Sequence, residues 1–256
     1  MTQLALGAAL AAIVALLAYR VRALSRSGAA AAFAIGAAVF GSGGWPAAAV
    51  LFAFFVPSTL LTRVGRARKN AIAGEARIRP RSGWQVLANG AVAALCALAA
   101  SGGSAAFSAA FAGAFAAASA DTWGTEIGEL SPAAPVSILS FRRMRAGLSG
   151  GVTLLGATAT IGGALFVAGV AWAVRIGPLL GVAVAGVAGA LLDSVLGASL
   201  QAHRWCPACA RECETRLHEC GTRTRLQRGL AWIENDGVNF AATLCGALVA
   251  ALLTKL

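Results

Sequence analysis

Ala120-Asp121-Thr122-Trp123-Gly124-Thr125-Glu126-Ile127-Gly128-Glu129-Leu130-Ser131 is the stretch on which the reading of this chain turns. An alanine-rich apolar run, Ser104 to Ser119, leads into it. A basic, glycine-rich segment follows, from Arg142 to Thr153, and then another apolar run of more than twenty residues. Three of the ten acidic side chains, Asp121, Glu126 and Glu129, fall within nine residues at the mouth of a hydrophobic helix. Arg142, Arg143 and Arg145 precede the turn Gly147-Leu148-Ser149-Gly150-Gly151, which opens the next helix. Carboxylates hold hard divalent cations, while arginines and free amides at a helix N-terminus hold phosphate oxygens. Together they predict a metal–phosphate site at a membrane surface.

The rest of the chain supplies the membrane. Its 256 residues are 58% apolar and only 12% charged, with a mean hydropathy of +0.75, which excludes an ordinary soluble domain. Apolar segments run over about 3–19, 28–41, 44–61, 84–101, 103–120, 150–174, 177–200 and 238–254. A crossing helix needs roughly 20 residues for about 30 Å of hydrocarbon. Segment 28–41 is short, and 103–120 is weakly hydrophobic because it is mostly alanine. With eight spans, 19 of the 21 Lys and Arg fall in loops 20–27, 62–83, 121–149 and 201–236, leaving Arg175 and Lys255 opposite. The positive-inside rule then puts these basic loops in the cytoplasm. The expected fold is an all-α polytopic membrane protein of about eight transmembrane helices, with both termini outside. It forms one integral-membrane domain over residues 1–256 in the cell membrane, with a cytoplasmic Cys-rich loop at 201–236. Topology and anionic membrane lipids account for the net charge of +11, so no nucleic-acid partner is expected. The first segment has no basic region before it and reads as a retained helix.

Several residues stand out within this frame. Loop 62–83 carries seven cations and one acid, Glu75, suited to lipid headgroups or to a phosphorylated substrate. Gln85 and Asn89 share one face of the fourth helix. In an unbroken helix Asp121 and Glu126 would lie about 140° apart and could not share an ion. A break at Gly124 is therefore expected to turn both inward. Asp193 lies about 10 Å inside the seventh helix, where an unpaired charge costs on the order of 2–3 kcal/mol. It must face the bundle, paired or metal-bound. Asp236 is a natural N-cap for the eighth helix, with Asn235 and Asn239 beside it. Cys206, Cys209, His218 and Cys220 could form a tetrahedral zinc site in a reducing compartment, with Cys213 as a rival ligand.

These blocks together resemble one integral membrane family, that of domain of unknown function 92, which includes plant phytyl-phosphate kinase. The resemblance rests on five blocks: Gln85-Val86-Leu87-Ala88-Asn89-Gly90; Asp121-Thr122-Trp123 with Thr125-Glu126-Ile127-Gly128; Ser149-Gly150-Gly151-Val152; Leu191-Leu192-Asp193-Ser194; and Asn235-Asp236 with Val238-Asn239. It spans nearly the whole chain. Leu148 stands where the family's glycine-rich turn carries threonine. The family is distantly similar to dolichol and phytol kinases and to CDP-diacylglycerol synthases. The resemblance implies a kinase that converts an isoprenyl monophosphate lipid to the diphosphate, with CTP or another nucleoside triphosphate and Mg²⁺. It also points at Asn89, Asp121, Glu126, Ser149, Gly150, Gly151, Asp193, Asp236 and Asn239. The expected metal ligands are Asp121, Glu126 and Asp193. The phosphates are expected at Arg142, Arg143, Arg145 and the Ser149–Gly151 turn, and the lipid tail between helices. Two alternatives stay open. One is a transporter with an ion path through Asp121, Asp193 and Asp236, and the other a lipid cytidylyltransferase releasing pyrophosphate.

Overall fold

A 36-residue helix, α2 (Arg26–Leu61), would be about 54 Å long if straight, far more than one crossing needs. It is instead a hairpin of two crossings. Gly44 sits at the bend with φ 61° and ψ −150°, a conformation closed to most side chains. Arg81 shows that the two ends meet. Its carbonyl accepts from Ser25 N at 3.0 Å, and its guanidinium donates to Ser58 O and Thr62 Oγ1, each at 3.3 Å. Trp45 packs edge-on against Phe40 at the bend, centroids 4.9 Å apart. Segments 28–41 and 44–61 are therefore separate spans.

The computed structural model describes residues 2–73 and 80–254. Glu75, Arg77, Arg79 and Lys255 lie outside the described residues. Around α2 stand α1 (Thr2–Arg20), the short α3 (Arg66–Ala73), α4 (Gly83–Ala100), α5 (Ala105–Gly128), α6 (Leu154–Ala173), α7 (Leu179–Ser199) and α8 (Asn235–Leu252). With the two arms of α2, the long helices make eight crossings among the described residues. Six of these helices (α1, α2, α4, α6, α7 and α8) are long and apolar enough to span a membrane by composition.

The exception, α5, is the centre of the bundle. Twelve consecutive residues, Ala109 to Ala120, are buried, so no face is left for lipid. A helix buried all round needs small side chains more than greasy ones. A Cβ at Gly113 would fall 2.4 Å from both Ala250 Cβ and Gly246 O of α8. The weak hydropathy that made this segment ambiguous in the sequence is thus the mark of a helix surrounded by protein.

The connecting segments depart from the all-α expectation. Strand β1 (Val136–Ser137) pairs antiparallel with β2 (Gly151–Val152). The Cys-rich loop folds into a three-stranded antiparallel sheet of β3 (His203–Cys206), β4 (Arg211–Cys213) and β5 (Arg225–Arg228), with β3 in the middle. Both stand at one end of the bundle, where the C-terminal ends of α5 and α7 meet the N-terminal ends of α4, α6 and α8.

Candidate functional site

A cavity of about 790 Å³ opens at this end of the bundle. Asp121, Glu126, Glu129, Asp193 and Glu214 line it, half of the chain's ten acidic residues, with Arg68, Lys69 and Arg81 as the basic lining among the described residues. In a chain of net charge +11, this is a concentration of carboxylates that a divalent cation would balance.

Asp121 and Asp193 form the deepest part of it. Each sits six or seven residues before the end of its helix, α5 or α7, about 10 Å inward. Small residues bring the two helices together: a Cβ on Gly189 would fall 2.5 Å from Ala117 Cβ. One turn further along, the Asp121 and Asp193 carboxyl groups stand within hydrogen-bond reach of each other. Asp193 Oδ2 is buried and has no hydrogen-bond partner. Two carboxylates in contact need a shared proton or a cation between them, and a buried unpartnered oxygen costs about 1–3 kcal/mol. The donor set fits a hard cation such as Mg²⁺.

Glu126 does not join them. Helix α5 runs unbroken through Gly124, whose Cβ would sit 2.2 Å from Thr160 Oγ1. The glycine serves close packing on α6, and the expected break is absent. The 140° separation therefore persists. Glu126 instead accepts from Lys69 Nζ at 2.6 Å and Thr62 Oγ1 at 2.9 Å, and Lys69, only 2% exposed, also donates to Leu61 O at 2.7 Å. Carboxylates expected to share one ion thus occupy two walls of one cavity.

The glycine-rich turn is present, but its arginines face elsewhere. Gly150 has φ +82°, and a Cβ there would meet Ala198 of α7 at 2.5 Å. Ser149, Gly150 and Gly151 line the main cavity. Val136 bridges to Arg143 and β1 pairs with β2, so the chain between the two strands folds back on itself before the glycine-rich turn. Arg142, Arg143 and Arg145 consequently line a neighbouring cavity of about 510 Å³, with Glu212 and Arg228. The cations at the main cavity come from α3 and the entrance to α4. The expected free amide of Ser149 is occupied: it donates to Glu214 Oε1 at 2.6 Å, and Ser149 Oγ donates to Glu214 Oε2 at 3.0 Å.

Asn89, Asn235 and Asn239 line the main cavity. Asp236 does not cap α8, because the helix already starts at Asn235. Glu234 is the N-cap and Asp236 falls in the first turn, outside the cavity lining. Gln85 completes a capping box with Ser82, and Asn89 Nδ2 donates to Gln85 O at 3.0 Å.

An apolar cavity of about 240 Å³ lies between α1, α2 and α4, lined by residues such as Leu10, Ile35 and Phe55. It shares Phe54, Arg81, Gln85 and Asn89 with the polar cavity. The Cys-rich sheet brings Cys206, Cys209, His218 and Cys220 together away from either cavity, while Cys213 turns off toward Thr215 O.

Sequence reasoning did not single out Glu214, Thr62, Lys69 or Arg81 for these roles. Lys69 and Arg81 were two cations among seven in a basic loop, and nothing in the spacing of Glu214 points to Ser149, 65 residues away.

The profile of the integral membrane protein family DUF92 matches residues 9–247. The chain is 28% identical over 262 residues to a protein named PGR from Arabidopsis thaliana, covering 91% of this chain and 89% of that protein. It is also 28% identical over 208 residues to an uncharacterized membrane protein of Methanocaldococcus jannaschii, covering 80% of this chain and 74% of that one. No solved structure matches the chain.

Proposed function

Because this chain belongs to the integral membrane protein family DUF92, we propose that it is a nucleotide- and Mg²⁺-dependent kinase converting an isoprenyl monophosphate to the diphosphate. The observation that carries this reading is the shared wall of the two cavities. Arg81, Gln85 and Asn89 border both a charged cavity and an apolar one, and a phosphate joined to a hydrocarbon chain needs both at once. The tail enters between α1, α2 and α4, and the head meets Arg81 and Asn89. CTP as the favoured donor follows from the family resemblance.

Phosphoryl transfer depends mainly on positioning and on neutralising charge. Mg²⁺ held by Asp121 and Asp193 would supply that neutralisation on the nucleotide phosphates. Arg68 and Arg81 face the same space, and Lys69 is fixed in place by Glu126. The lipid's terminal phosphate oxygen attacks the nucleotide's γ-phosphorus, and the nucleoside diphosphate leaves. The carboxylates lie at one end of the bundle, which favours a surface enzyme over a transporter needing polar groups along the whole path. The 19-to-2 partition of Lys and Arg supports a cytoplasmic position for this end, where nucleotide is available.

The test is product analysis. Purified protein is incubated with phytyl or geranylgeranyl phosphate, Mg²⁺ and γ-labelled nucleotide. The expected result is labelled prenyl diphosphate with one nucleoside diphosphate per turnover. Release of pyrophosphate with a nucleotidyl lipid would replace this reading by cytidylyl transfer, and the absence of both products would end it.

A further inference from the structure

The Cys-rich sheet carries a second site that the proposed reaction does not use. Two tight turns face each other there. One is the β3–β4 turn, where Ala210 has φ +48°, and it presents Cys206 and Cys209. The other is closed by the Leu217–Arg223 bridge with Gly221 at φ +81°, and it presents His218 and Cys220. The ligand atoms of these four residues all lie within 4.8 Å of one another. We infer that Cys206, Cys209, His218 and Cys220 bind one structural zinc ion.

The distances suit that ion. Zinc bonds of about 2.3 Å to sulfur and 2.0–2.1 Å to nitrogen give a tetrahedron with edges of about 3.8 Å between sulfurs and about 3.6 Å from sulfur to nitrogen. Cys206 and Cys220 sulfurs are 3.6 Å apart, and His218 Nδ1 lies 3.6 Å from Cys209 Sγ and 3.2 Å from Cys220 Sγ. The sulfur pair is well beyond the roughly 2.05 Å of a disulfide. Three thiolates and one imidazole form a soft donor set that suits zinc and not Mg²⁺ or Ca²⁺. Four protein ligands also leave no open position for substrate, so the ion holds structure.

The central strand β3 is largely buried, but the two ligand-bearing turns have little else to hold them. All four residues of β5 are exposed, and of the four ligands only Cys206 is buried. So small a core does not stabilise a fold, and a metal supplies what burial cannot. The sheet in turn holds the glycine-rich turn. Glu214 follows directly on β4 and binds Ser149 N and Oγ, and Gln201 Nε2 donates to it at 2.9 Å. This inference is independent of the proposed reaction.

Elemental analysis of the full chain, purified in detergent without chelator, tests it. One zinc per chain is expected. The ion should be absent from the combined Cys209→Ser and Cys220→Ser variant and retained in Cys213→Ser. Should the double variant fail to fold, Co²⁺ exchanged into the unsubstituted protein carries the test. Visible bands of tetrahedral cobalt with thiolate charge transfer support the site, and octahedral-type spectra overturn it. A metal-free protein, another metal in stoichiometric amount, a Cys206–Cys220 disulfide, or zinc lost equally from Cys213→Ser would each overturn it as well.

Discussion

The carboxylate pair of the bundle and the thiol cluster of the sheet are built in opposite ways. Asp121 and Asp193 are 72 positions apart in sequence, each carried on a long helix, and meet because α5 and α7 pack through alanine and glycine. The four thiol and imidazole groups fall within fifteen residues, on two short turns where only Cys206 is buried. The first site is held by the fold, and a cation there would relieve a charge conflict the fold creates. The second is the reverse, a pair of exposed turns that a bound ion would hold together. Removing a ligand should therefore affect function at the first site and structure at the second.

The largest effect is expected from Asp193→Asn, which keeps size and removes charge. Turnover should fall roughly 10²–10³-fold, the scale seen when one transition-state-stabilising group is lost. The protein should remain inserted and as heat-stable as the parent, or more so, since a carboxylate conflict is relieved. Near-normal turnover would break the contrast by making Asp193 a packing group. Glu126→Gln comes next and should do the opposite. Lys69 would be left as a buried charge without its anion, at a cost of about 3 kcal/mol, read as a lowered thermal midpoint in detergent. A double Glu126→Leu, Lys69→Met variant should recover much of that loss. If Glu126→Gln matched Asp193→Asn in lost turnover at unchanged stability, Glu126 would belong with the metal ligands after all.

Gly150→Ala is expected to cost about 1–3 kcal/mol, because φ +82° is strained for alanine and its Cβ would press on the Ala198 backbone. Activity should fall with it, since Ser149 and Glu214 lock together beside that residue. The smallest effect is expected from Arg142→Gln with Arg143→Gln. These side chains line the neighbouring cavity, so kcat/KM for nucleotide and for lipid phosphate should change by only a few-fold. A loss like that of Asp193→Asn would show that the two cavities merge when substrate binds.

Much of the architecture is visible in the residues. The eight apolar segments, including the pair joined at Gly44, correspond to eight helical crossings. The candidate carboxylates stand out because acids are scarce, and Asp193 because of where it lies. Other parts have no local signal. Gly124 reads equally as a break or as a packing glycine, and it packs. The Arg142–Arg145 cluster sits beside a phosphate-type turn in sequence, yet the β1–β2 pairing carries it round to another face. Lys69 looks like its neighbours in loop 62–83 until α3 presses it against Glu126.

What the sequence determined by itself is what depends on solvent and spacing: that the chain crosses a membrane, how often, and which loops share a side. Transfer into lipid is a sum over a single segment, and every segment but the alanine-rich α5 carries its own answer. The Cys-x-x-Cys and His-x-Cys turns are local in the same sense. Partnership between side chains was decided only in three dimensions. Helix rotation, the close approach of α5 to α6 and α7, and the docking of the sheet on Ser149 fix which acid meets another acid, which meets a lysine, and which meets a backbone amide. These depend on packing summed over the whole bundle, where shifting one helix by 100°, a single residue, would exchange the roles of Asp121 and its neighbours.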